Sequence, residues 1–113
     1  MSMAKAIYIV NDRVVMTYEP EVWPEGVLTG YYTNDNGFMV EHIITFNSHA
    51  LLGLIRGCMD EATMMNLDYI TFYIPRDIPN YRRLNKLARY FSFNLVEQDE
   101  TSDIYVRMAP FGF

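Results

Sequence analysis

Cysteine is almost missing from this sequence. Cys58 stands alone among 113 residues, so no disulfide framework can form within the chain, and a reduced, cytoplasmic setting is expected. Histidine is nearly as scarce, with only His42 and His49, and neither has Cys, Asp or Glu neighbours at metal-ligand spacing; no metal centre is expected. No stretch approaches the roughly 18 consecutive apolar residues of a membrane span, and the apolar run in the opening "MSMAKAIYIV" is too short for a signal peptide. Positive charge is also in deficit. Nine Lys and Arg against fourteen Asp and Glu leave a net charge of −5, which argues against non-specific nucleic-acid binding.

Apolar residues, by contrast, make up half of the chain and aromatics 15%. That suffices for a core, and a single domain over residues 1–113 is expected. Eight methionines read first as core filler.

Two β-rich runs, Ala6–Val10 and Val14–Tyr18, flank "NDR" and predict a hairpin. Residues 19–26, "EPEVWPEG", read as a loop. A second hairpin is expected from Val27–Thr33 and Phe38–Phe46 around "NDNG". Ser48–Asn66 has helical spacing, with Leu51, Ile55, Cys58, Ala62 and Met65 on one stripe and Asn47 or Ser48 as cap. Tyr69–Ile74 reads as a buried strand. Asn80 is expected to cap a second helix to about Tyr90, with Tyr81, Leu84, Leu87, Ala88 and Phe91 on its apolar face. Asn94–Gln98 and Ile104–Met108 close the chain as strands around "DETSD". The strand–helix–strand unit requires one parallel pair in a mostly antiparallel sheet, and such a pair opens a crevice at its strand ends.

The order strand, long helix, "YITFYIP", helix, "FSFNLVEQ", strand over residues 38–108 resembles the GNAT superfamily of N-acyltransferases. The resemblance implies a GNAT-like α/β domain: a twisted, mostly antiparallel sheet with one parallel strand pair and two main helices. The superfamily's two opening helices have no counterpart here. Compact GNAT-like chains are familiar from bacteriophage genomes, so the resemblance also implies a phage origin, and with it the host cytoplasm or the virion.

Three positions depart from the superfamily's pattern. Its Q/R-x-x-G-x-G/A cradle for the acyl-CoA pyrophosphate has no match, because only Asn47-Ser48 separate Phe46 from "HALL". The tyrosine that often serves as general acid aligns with Ala88, and the glycine of the GF pair aligns with Ser92. The expected function is therefore non-catalytic, a binding, structural or accessory role on a degenerate acyltransferase fold. The alternative is an acetyl-CoA-dependent N-acetyltransferase with an atypical loop.

For that alternative the resemblance implies Glu41 as general base. The cofactor contacts would fall at the two helix openings, Asn47, Ser48 and His49 on the first and Asn80 on the second. A solvated or paired sheet carboxylate is the simpler reading of Glu41. His42, expected to share a face with Phe38, Val40, Ile44 and Phe46, reads as a histidine satisfied within the sheet. Cys58 reads as inert core. Gly53 and Gly57 imply a close approach, either by the sheet or by a partner chain. Five of the nine basic residues, Arg76, Arg82, Arg83, Lys86 and Arg89, fall within 14 positions, and Arg82, Lys86 and Arg89 share a helix face. That face is either solvated surface or the docking site of an acidic protein or a phosphate-bearing ligand.

Overall fold

The computed structural model describes residues 5–19, 25–45 and 47–112. The expected strand end at Phe46 and most of the expected loop at 19–26 lie outside them. Seven strands and two helices follow in the order β1 (Lys5–Val10), β2 (Arg13–Tyr18), β3 (Gly26–Tyr32), β4 (Gly37–Thr45), α1 (Ser48–Met64), β5 (Tyr69–Pro75), α2 (Tyr81–Tyr90), β6 (Asn94–Gln98) and β7 (Ser102–Met108). They form one sheet in the order β1-β2-β3-β4-β5-β7-β6, antiparallel throughout except for β4 and β5.

The turns explain themselves locally. Asn11 and Asp12, at φ 49° and 63°, form the two-residue turn that joins β1 to β2, and Asn36 at φ 67° closes the next hairpin. Asparagine and aspartate tolerate this left-handed region better than other side chains do. Asn47 is the N-cap of α1: its side-chain oxygen accepts from the Ala50 N–H at 2.8 Å. Both helices end the same way. The Leu67 N–H reaches the Ala62 carbonyl past Asn66 at φ 53°, and the Phe93 N–H reaches the Ala88 carbonyl past Ser92 at φ 66°. Each is a Schellman motif with a left-handed residue at its hinge.

β4, β5 and β6 run parallel to one another, β7 lying antiparallel between the last two. Both crossovers move across the sheet in the same direction. Right-handed connection therefore puts α1 and α2 on the same face. The core lies between: Leu51, Leu54, Ile55 and Cys58 of α1 and Leu84, Ala88 and Phe91 around α2 pack on Met16, Leu28, Val40, Ile70 and Phe72. Among the described residues no helix covers the other face.

Gly53 allows one close approach. A Cβ there would lie 2.5 Å from the ring of Tyr18, so it is the sheet that fills this position, not a partner chain. Gly57 is buried. Two expectations fail at the edges of the helix stripes. Met65 is 51% exposed, because the Schellman turn ends α1 before its side chain can join Ala62. Leu87 is only half-buried against the core that encloses Leu84. The methionines divide, with Met16 and Met59 buried and Met64, Met65 and Met108 exposed.

Candidate functional site

The parallel pair is short. β4 and β5 match only from Gly37–Tyr69 to Val40–Phe72. Beyond Val40 each strand follows a different neighbour. β5 stays with β7 as far as Pro75–Ser102. β4 stays with β3, but through a bulge: Gly30 faces Val40 and Thr29 faces His42, so Glu41 is an extra residue. A bulge bends its strand and sharpens the local twist. The two strands splay and open a cleft of about 280 Å³.

Ile43, Phe72, Ile74 and Ile78 line the cleft, with Ile55 of α1 and Leu84 of α2 at its helix-side wall. Glu41, His42 and Tyr73 are the polar residues along it. Tyr73 is exposed between buried Phe72 and Ile74, so alternation points it to the helix-free face. The bulge corrects the reading of His42. Its extra residue reverses the alternation, so that Ile43 joins Phe38 and Val40 against the core while His42 and Ile44 turn outward. His42 is exposed, not satisfied within the sheet. Glu41 does line the cleft, and its Oε1 forms an ion pair with Arg13 Nε at 2.8 Å while the guanidinium lies 4.8 Å from the Tyr31 ring centroid.

A second hollow, about 330 Å³, shares Ile43, Ile44 and Ile78 with the first and continues to Thr45, Asn47, Pro79, Asn80 and Arg83. Two of the four residues expected at a cofactor, Asn47 and Asn80, thus come together. Ser48 and His49 are exposed and line neither hollow. Asn80 occupies the N-cap position of α2 but makes no side-chain capping bond, contrary to expectation, because its backbone (φ −99°, ψ 22°) is not extended.

Both ends of the Asn47 amide are engaged. Besides capping α1, its Nδ2 donates to Glu25 Oε1 at 2.5 Å. A carboxylate therefore stands beside the helix N-terminus, the place where an anionic ligand would gain most from the helix dipole. The backbone leaves little room there either. A Cβ on Gly26 would sit 3.0–3.2 Å from Leu54, Thr45 and Ala50, so the start of β3 lies directly under the first turn. The residues present do not fit a diphosphate cradle.

The remaining departures have structural counterparts. Ala88 is buried and has no proton to give, and Tyr90 is 70% exposed. The Tyr81 hydroxyl donates to Asp103 Oδ2 at 2.6 Å. Ser92 adopts the left-handed backbone that a glycine would take without strain.

Arg82, Lys86 and Arg89 gather in a groove of about 390 Å³ between α2 and β6, with Tyr81, Asn85, Leu95, Gln98 and Asp103. Asp103 is 2% exposed and fully partnered: Arg76 Nη1 and Gln98 Nε2 each donate to Oδ1 at 2.9 Å, and Tyr81 to Oδ2. Burial raises its pKa, but the hydrogen bonds from Tyr81, Gln98 and Arg76 and the charge of Arg76 outweigh that and hold it below the ordinary carboxylate value.

Tyr73, Arg83 and Glu25 were not foreseen as site residues. Tyr73 carried only a slight signal, a hydroxyl between Phe72 and Ile74. Glu25 carried none, being 22 positions from Asn47.

No family model and no curated protein matches the sequence. Solved structures do match. The chain is similar to an IAA acetyltransferase from Bacillus cereus (TM-score 0.75, 8% identity, 96% of this chain and 100% of that one). It is similar to the PaiA N-acetyltransferase of Thermoplasma acidophilum, solved with coenzyme A (0.73, 11%, 87% and 62%). A third is the PseH N-acetyltransferase of Campylobacter jejuni, solved with acetyl coenzyme A (0.71, 7%, 89% and 71%). The fold is that of the GNAT acetyltransferases, as the element order implied.

Proposed function

We propose that this chain is a non-catalytic binding protein on an acyltransferase fold, whose β4–β5 cleft receives an apolar ligand segment. The observation that carries this reading is the Glu25–Asn47 contact. It sets negative charge and a committed side chain at the N-terminus of α1. An acyl-CoA diphosphate would have to displace that carboxylate or accept its repulsion, with no glycine loop to supply N–H groups in exchange. The apolar lining of the cleft remains usable. Calorimetric titration with acetyl-CoA tests the reading, and weak or absent binding is the expected result.

A second reading, acyl transfer from acetyl-CoA to an amine, is favoured by one observation: Glu41 lines the cleft. There it would act as general base once released from Arg13. Under that reading Glu41→Gln abolishes turnover while leaving the fold intact.

A further inference from the structure

We infer that the groove between α2 and β6 binds an extended acidic peptide, which adds to the sheet as a strand along β6. The charge is the first ground. Arg13 pairs with Glu41 and Arg76 with Asp103, and neither pair draws on the basic face of α2. Arg82 and Lys86 have no carboxylate partner among the described residues, and Arg89 contributes one bond, from Nε to the Tyr105 hydroxyl at 3.3 Å. The carboxylate on the groove floor, Asp103, is already matched to Arg76 and does not offset the three cations that line the groove. In a chain of net charge −5, this is a local positive surface.

The second ground is the strand. Among the described residues β6 pairs only with β7 and ends the sheet, so its outer backbone groups have no partner strand there. All five of its residues are exposed, Leu95 by 41% and Val96 by 59%. A polypeptide in extended form is the ligand whose own N–H and C=O groups match such an edge.

The spacings agree. From Arg82 to Lys86 to Arg89 the helix rises about 6 Å and then about 4.5 Å, while side chains at i and i+2 of a strand are about 6.8 Å apart. Acidic residues at alternate positions would therefore meet these cations in turn, and the intervening residues would face away from α2.

Other occupants fit less well. A second copy pairing β6 with β6 about a two-fold axis would set the two basic helix faces against each other across the shared groove. A nucleic acid could meet the cations of α2 but has no series of backbone N–H and C=O groups to pair with the edge of β6. β6 also carries a bulge, since Leu95 faces Tyr105 and Glu97 faces Ile104 with Val96 between. A bulge discourages indiscriminate edge pairing, so charge is left to select the partner.

The test uses a fluorescein-labelled octapeptide alternating glutamate with threonine, titrated by anisotropy against the full chain. A peptide of the same composition with its glutamates consecutive and a single-stranded octanucleotide serve as competitors. The alternating peptide should bind best, and binding should weaken at least about tenfold in Arg82→Glu/Lys86→Glu and on raising the salt from low to physiological. The variant's circular dichroism should match that of the wild type, both substitutions being exposed. Amide resonances of residues 94–98 should shift with the peptide and not with free glutamate. Equal binding of the consecutive peptide, preference for the nucleotide, an unaffected variant, or shifts confined to α2 would each overturn the inference. So would a chain that dimerises through this groove and takes up no peptide.

Discussion

Asn47 and Glu25 form a pair that closes the N-terminal end of α1: one amide caps the helix with its oxygen and holds a carboxylate with its nitrogen. The carboxylate comes from the residue just before β3, 22 positions away in the chain. Replacing the charge while keeping the acceptor isolates its effect. Glu25→Gln should fold normally and bind inorganic pyrophosphate more tightly by about 1 kcal/mol, roughly fivefold, the scale of one nearby charge in a partly wet site. Unchanged pyrophosphate affinity would show that Glu25 does not guard this end.

Ser92 gives a stability prediction of the opposite sign to most substitutions. At φ 66° it bears a Cβ in the left-handed region, at a cost of roughly 1–2 kcal/mol, and its N–H bonds to the Arg89 carbonyl at 3.0 Å through the backbone alone. Part of the gain from Ser92→Gly is lost to the freer unfolded chain. A net stabilisation of about 1 kcal/mol is expected in urea unfolding; a lower midpoint would show that the serine side chain contributes something further.

Asp103 sets an acid limit. Its pKa lies below the unfolded value of about 4, so its contribution is complete above that pH and is lost as pH falls through the folded value. The urea midpoint of the wild type should drop on acidification below about pH 4. Asp103→Asn should start lower at neutral pH and show a flatter acid limb. Parallel pH profiles would place the acid sensitivity elsewhere.

The apolar faces of the helices can be ranked. Leu84 is buried against the core and lines the cleft, whereas Leu87 is half-buried. Leu84→Ala should cost roughly 2–5 kcal/mol and Leu87→Ala clearly less. Equal costs would mean that the helix is rotated from the position described here.

Much of this fold could be read from residue order. The helix and strand runs fall within a residue or two of the expected limits, and "NDR", "NDNG" and the Asn47 cap carried their own turn chemistry. What stayed hidden depends on distant neighbours. The bulge at Glu41 arises from pairing with Thr29 and Gly30, and a single added residue inverted the facing of His42 and Ile44. Met65 fitted the helical period of its stripe, yet the chain turns away one residue earlier. Asn80 had the composition of a cap but not the backbone angles. Half of the expected cofactor set, Asn47 and Asn80, does meet around one hollow, because the crossover from β5 returns α2 to the side of α1. Arg83 joins them from a helix whose other cations face the β6 groove.

Titration calorimetry with acetyl-CoA at physiological salt bears most directly on whether this fold still serves acyl transfer. A dissociation constant on the order of 100 μM or weaker is expected, a binding free energy of about −5.5 kcal/mol or less favourable. Low-micromolar binding would contradict the non-catalytic reading and make Glu41 the first residue to test as a base.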